Sequence, residues 1–369
     1  MDFSNIVRPE VGKMSAYVPG VRSQEVKERF GVENIIKLAS NENPLGPSPK
    51  AIEAICLAAK EGHIYPDSTA MKVRTLLAKK HNVAVGNILL AAGGEEVIRL
   101  FCGTFLNAGE ETIISQLGFG LHFRSSQMYG GKVVTIPVKE DLSDDLDAFA
   151  ENITDKTKIV FVTNPNNPTG IMNSRDEIVK LLAKVPSHVL VMIDEAYFEF
   201  AVEHEGYPDC TEFLEQYPNL IILRTLSKVV GLAGIRVGYA IAHENMIAEI
   251  LKLKAAFNVS SIAQEAAYAA LLDEEHIERT ILENRKSLEM LKKFFEEKGL
   301  HYLPTAANFI FVDLGIGSQK AHEDLIREGV ILRPGHLWGD IAAPFTRISS
   351  GTVAETQVVI DTLEKYLSK

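Results

Sequence analysis

The chain has 369 residues, 46% of them hydrophobic and 24% charged. At about 150 residues per domain this suggests two domains, enough to bury a core without disulfides, and it excludes a mostly disordered polypeptide. With 38 Lys+Arg against 49 Asp+Glu the net charge is −11, which argues against broad nucleic-acid binding and anionic-membrane docking but leaves room for a local basic pocket holding one small anion.

The N-terminus, MDFSNIVRPEV, has no basic stretch followed by an apolar one, so no signal peptide is expected. No apolar run approaches the ~18 residues of a membrane helix, and a cytoplasmic location is expected. Cys56, Cys102 and Cys210 are far apart, with no spacing that suits a zinc site or a disulfide framework. Reduced cysteines and no metal site are expected. Seven short β-type runs follow in order: Asn87–Ala92, Thr112–Ser115, Lys132–Val138, Lys158–Thr163, Val189–Ile193, Leu220–Arg224 and Val237–Ala242. Several are continuously apolar rather than alternating, the pattern of strands covered on both faces. Helical spacing fills segments between them, as at Glu95–Phe105 and Arg175–Ala183. The predicted class is α/β, with helices on both faces of a parallel sheet.

After about residue 260 the texture changes. Helices are expected over Ile262–Leu272, Glu274–Lys298, around Gln319–Glu328, and over Val353–Leu367. Short strands are expected at Asn308–Val312, Val330–Arg333 and Thr346–Ser349. The expected division is a large domain over 36–260 and a smaller α+β domain made from 1–35 with 261–369.

Five clusters sit where chemistry collects in open α/β sheets, at the carboxyl ends of strands. Thr225-Leu226-Ser227-Lys228 ends one strand; taken alone its lysine reads as a solvated loop residue, although cationic neighbours there would also favour the neutral amine that forms Schiff bases. Arg236, eight residues on, suits a phosphate as well as a surface ion pair. Asp194-Glu195-Ala196-Tyr197 follows the VLVMI run. Asp194 could meet a pyridinium nitrogen, bind a metal or cap a helix. Asn164–Gly170 (NPNNPTG) fixes a turn rich in side-chain amides. Ala92-Gly93-Gly94-Glu95-Glu96 is a strand–glycine–helix junction whose backbone N–H groups could cradle a phosphate, provided the glutamates face elsewhere. Signatures of nicotinamide enzymes, P-loop NTPases, zincins and α/β-hydrolases do not occur.

In this order the clusters resemble those of fold-type I pyridoxal-phosphate aminotransferases. The stretch Leu38-Ala39-Ser40-Asn41-Glu42-Asn43-Pro44-Leu45-Gly46, the Tyr65-Pro66-Asp67 triplet and Thr346–Thr352 are similar to motifs of the histidinol-phosphate aminotransferase family. The resemblance covers residues 14–369 and implies a mostly parallel seven-stranded sheet, pyridoxal 5'-phosphate and a homodimer. It implies that Lys228 bonds the cofactor and shuttles a proton, and that Asp194 keeps the ring nitrogen protonated. Asn167 and Tyr197 would contact the ring hydroxyl, and Phe119 would stack on the ring. Thr225, Ser227, Arg236 and the Gly94-Glu95 backbone would hold the phosphate, with Tyr65 reaching that of the other subunit. Arg347 would clamp the substrate's carboxylate or an equivalent group, with Tyr17 and Asn43 nearby. Four departures bear on substrate preference: Leu117-Gly118-Phe119, Gly93–Glu96, Val229-Val230 and Arg333–His336.

The implied reaction converts L-histidinol phosphate and 2-oxoglutarate, a small-molecule donor and a 2-oxo acid acceptor, to imidazole-acetol phosphate and glutamate, a step of histidine biosynthesis. The competing readings are an aromatic amino acid aminotransferase, a pyridoxal-phosphate decarboxylase of a phosphorylated amino acid, and a cofactor-binding regulator.

Overall fold

The computed structural model describes residues 3, 6–16 and 20–368. Tyr17 lies outside them. Seven strands form one sheet in the spatial order Ile88–Ala91, Gly238–Ala242, Leu220–Thr225, Leu190–Asp194, Thr157–Thr163, Glu111–Ser115 and Lys132–Ile136. All run parallel except Gly238–Ala242, which pairs antiparallel with both neighbours. All seven expected runs therefore enter one sheet.

The reason they read as unbroken apolar stretches is visible in the packing. Val191 and Ile193 face one core while Met192 faces the other, and Leu220 and Ile222 are likewise opposed to Ile221 and Leu223. Successive side chains point to opposite faces, and helices cover both. Helix Arg175–Lys184 starts with a capping box between Ser174 and Glu177, which satisfies two otherwise open N–H groups.

A second, three-stranded antiparallel sheet joins Arg333–Pro334, Phe345–Ser349 and Phe309–Asp313. Its core includes Leu291, Phe295, Ile310, Ile348 and Leu363. The expected strand Val330–Arg333 is split, since Val330–Ile331 pairs parallel with Ile36–Lys37 instead. Packing also departs from the expected division in two places. Ile36–Lys37 joins the smaller unit through that pairing, and Leu38 enters its core. Helix Ser261–Leu271 packs with the large sheet through Ala263, Ala266, Ala267 and Ala270. Its alanine-rich face lies against helices Pro49–Ala58 and Met71–Lys80, so small side chains permit a close approach.

Behind the strand ends lies a buried ion network. The Arg224 guanidinium, 1% exposed, reaches Glu195 and Asp209 at 2.7 Å each. It also donates to His81 Nδ1 at 3.1 Å. Arginine has no acceptor, so Nδ1 is the lone-pair nitrogen and Nε2–H donates to the Tyr239 hydroxyl at 3.0 Å. Burial first, then Arg224, pushes the His81 pKa down to about 4, so the ring stays neutral. Arg224→Ala would leave Glu195 buried and uncompensated, a loss of about 3–5 kcal/mol. Its denaturant midpoint should fall accordingly, and an unchanged midpoint would show that the network does not brace these strands.

Candidate functional site

The register sets Thr163, Asp194 and Leu223 side by side at the carboxyl ends of three parallel strands. Asp194 is buried, accepting from Ala196 N–H at 3.1 Å. Its other oxygen lies 3.2 Å from His122 Nε2. His122 is fully buried on helix Gly120–Met128 and stacks on Phe161, ring centroids 4.6 Å apart. Sequence reasoning missed this histidine, whose position three residues after Phe119 is its only sequence signal. Phe119 is half-buried and meets the His122 ring edge-on at 5.6 Å.

Tyr197 is buried three residues beyond Asp194, and burial raises its pKa. Its hydroxyl accepts from Asn41 Nδ2 at 2.9 Å and from Asn167 Nδ2 at 3.3 Å. Both amide orientations are fixed from outside. Arg347 Nη1, a donor only, holds Asn167 Oδ1 at 2.5 Å. Ser349 Oγ takes the Asn41 backbone N–H and gives its own proton to Asn41 Oδ1 at 2.8 Å. With both lone pairs engaged, the Tyr197 hydroxyl has its proton left for a ligand.

Lys228 is partly buried, its Nζ 3.4 Å from the Ser40 carbonyl and 5.7 Å from the Tyr197 ring centre. Burial, then the charge of Arg347, brings its pKa down to about 8. Arg347 is buried as well, and burial followed by Arg333 lowers its pKa to about 10. Its Nη2 donates to the Ala39 carbonyl at 2.7 Å.

The phosphate-type end is built on close backbone contacts. Gly93 has φ 90° and begins helix Gly94–Phe105. A Cβ there would strike the Arg236 guanidinium, and one at Gly238 would strike the Gly94 nitrogen. The two glutamates of the first turn face elsewhere: Glu95 pairs with Arg99 at 3.2 Å, and Glu96 accepts from Ala92 N–H at 2.5 Å and Asn258 Nδ2 at 2.8 Å. That meets the condition for a backbone anion cradle. Thr225 Oγ1 donates to Ser227 Oγ at 3.0 Å, next to this junction.

Two expected site residues make contacts of their own outside this cluster. Asn43 uses its amide on the scaffold next to Lys228, donating to Val229 O at 2.9 Å and Thr280 Oγ1 at 3.2 Å and accepting from Leu45 N–H. Asn41, from the same motif, is the amide that turns inward. Tyr65 is 80% exposed and stacks on Phe257, centroids 4.6 Å apart. Arg333, to which no motif assigns a role, is the register partner of Arg347.

The aminotransferase class I and II family matches residues 33–363. The chain belongs to this family. A histidinol-phosphate aminotransferase of Akkermansia muciniphila is 41% identical over all 369 residues, covering 100% of both chains. Histidinol-phosphate aminotransferase 2 of Hydrogenovibrio crunogenus is 42% identical, over 99% of this chain and 97% of its own. Among solved structures, the Sinorhizobium meliloti histidinol-phosphate aminotransferase in complex with pyridoxal-5'-phosphate superposes with a TM-score of 0.90 at 26% identity, covering 98% of each chain. The order of motifs along this aminotransferase and the grouping of their side chains thus have one explanation.

The lowered Lys228 pKa is open to direct measurement. In cofactor-free protein, acylation of Lys228 followed by mass spectrometry should rise with pH with a midpoint near 8, below the 10.5 of an ordinary lysine. A midpoint at the ordinary value would remove the case for an amine poised near neutrality.

Proposed function

We propose that this aminotransferase binds pyridoxal phosphate and moves the amino group of L-histidinol phosphate to 2-oxoglutarate. The full-length 41–42% identity to two proteins named for that activity carries the substrate reading. The site fits the cofactor. Asp194 is a buried acid with which, among the described residues, no arginine or lysine forms an ion pair, and this suits it to a ring N–H cation. The Tyr197 proton suits a ring oxygen. Gly93-Gly94, Arg236, Thr225 and Ser227 suit a phosphate.

The cofactor supplies the electron sink that makes the donor's α-proton acidic. Asp194 would hold the ring nitrogen's charge, with His122 Nε2 3.2 Å from its carboxylate. Lys228 would hold the cofactor until the donor's own amine replaces it, and as the freed amine would take and return the proton at the donor's α-carbon. An amine of pKa about 8 is matched to that task near neutral pH. Arg347 receives the anionic group of either substrate. Arg333, beside it across the strand pair, supplies a second cation, which suits a doubly charged phosphate ester.

The reading extends to a cytoplasmic homodimer of two-domain subunits. None of the described helices is long and apolar enough to cross a membrane. Exposed Tyr65, Phe257, Ile64 and Leu57 suit burial by a second copy, which would bring Tyr65 to the partner's phosphate.

The purified protein loaded with pyridoxal phosphate should lose its visible cofactor band on titration with histidinol phosphate alone. Lys228→Ala should abolish turnover, and Asp194→Ala should lower it about 10²–10³-fold. A band that ignores histidinol phosphate but yields to phenylalanine would move the substrate to aromatic amino acids.

A further inference from the structure

We propose that Trp338 is a positioning residue for Arg347: its indole face holds the guanidinium in the orientation that receives the substrate's anionic group. The proposal deepens the preceding reading and rests on its assignment of Arg347 as the anion clamp.

Arg347 is short of partners for a buried cation. The two acceptors within its reach, Asn167 Oδ1 and the Ala39 carbonyl, are both neutral. Its Nε is buried with no hydrogen-bond partner. Among the described residues, no carboxylate pairs with it. Two aromatic rings stand in instead, Phe309 and Trp338, each with its centre 5.3 Å from the guanidinium carbon. A cation within about 6 Å of a ring centre is attracted by the negative ring face, most strongly by tryptophan. Unlike a carboxylate, a ring leaves the guanidinium's charge available to an incoming anion.

The two rings differ in origin. Phe309 is fully buried and in register with Ser349 on the strand that carries Arg347. Trp338 is only half-buried and closes the short turn Gly335–Trp338. That turn is pinned. His336 N–H donates to Ser318 Oγ at 3.1 Å, and Ser318 Oγ donates to the Ala343 carbonyl at 2.7 Å. A side chain at Gly335 would strike the carbonyls of Ala342 and Phe345. The indole also rests edge-on against Phe311, centroids 6.2 Å apart, and Phe311 stacks on Phe345 at 4.9 Å. The same cluster takes in Leu117 and Leu142 from the large-sheet side. The indole is therefore held by both units and placed against Arg347. It is the only tryptophan in the chain, so tryptophan emission comes from this position alone.

The test uses the holoenzyme, with maleate as a dicarboxylate that cannot accept an amino group. Maleate binding is followed by the cofactor's visible band and by tryptophan emission. Trp338→Phe and Trp338→Leu both keep an apolar side chain in the cluster, but only Phe keeps a ring face. The parent's emission should change saturably, with the same midpoint as the visible band. In Trp338→Leu the maleate Kd and the 2-oxoglutarate KM should rise about tenfold, and in Trp338→Phe less than about threefold, with kcat within about twofold in both. Equal affinities in the Phe and Leu variants would overturn the proposal, as would emission indifferent to maleate that visibly binds. If the maleate series behaves as expected while histidinol phosphate is not turned over, the substrate reading fails and this one stands. If maleate does not bind the parent, the clamp assignment fails and the proposal with it.

Discussion

The site's polarity depends on one buried guanidinium. Arg347 can only donate, so Asn167 must present its oxygen to it and its amide to Tyr197. Tyr197 then accepts from Asn167 on one side and from Asn41 on the other. Turning Asn167 over would set its amide against the guanidinium, donor against donor, which a buried network does not tolerate. Burial first, and then the same arginine, depress the Lys228 pKa. One charge thus orients the tyrosine proton, biases the lysine toward the neutral amine and awaits an anion.

Arg347 reaches this position because two sheets meet. The parallel sheet ends Asp194 and Thr225 on one side, and the adjacent Glu195 and Arg224 side chains form the ion network behind them. The antiparallel sheet delivers Arg347, with Arg333 as its cross-strand neighbour. Asn41 ties the units together through Ser349, 308 residues away in sequence. Movement of the smaller unit would therefore disturb the tyrosine's hydrogen bonds and the lysine's electrostatics together.

Much of this is legible in the sequence. Strands buried on both faces announce themselves as unbroken apolar runs, and Asp194, Lys228 and Asn167 are conspicuous because polar residues end such runs. What the sequence does not resolve depends on long-range geometry. Asn41 and Asn43 look alike within one motif. Only the positive φ of Asn41, 53°, and its distant serine decide which amide turns inward. His122 leaves no periodic mark, since one buried polar side chain on a helix of mixed composition resembles a surface residue. The change of texture near residue 260 points helix Ser261–Leu271 to the smaller unit, yet its alanines pack with the large sheet. Arg333 acquires meaning only from a strand register that local sequence cannot set.

The central claim is that Arg347 has no counter-ion among the described residues because a substrate anion supplies one. The most direct measurement compares thermal unfolding of the holoenzyme and of Arg347→Leu, each with and without saturating 2-oxoglutarate. Ligand at about 100 times its Kd should stabilise the parent by about 2.7 kcal/mol and raise its midpoint. The variant should not respond. A midpoint that rises equally in both would contradict the account, because the anion would then be held elsewhere.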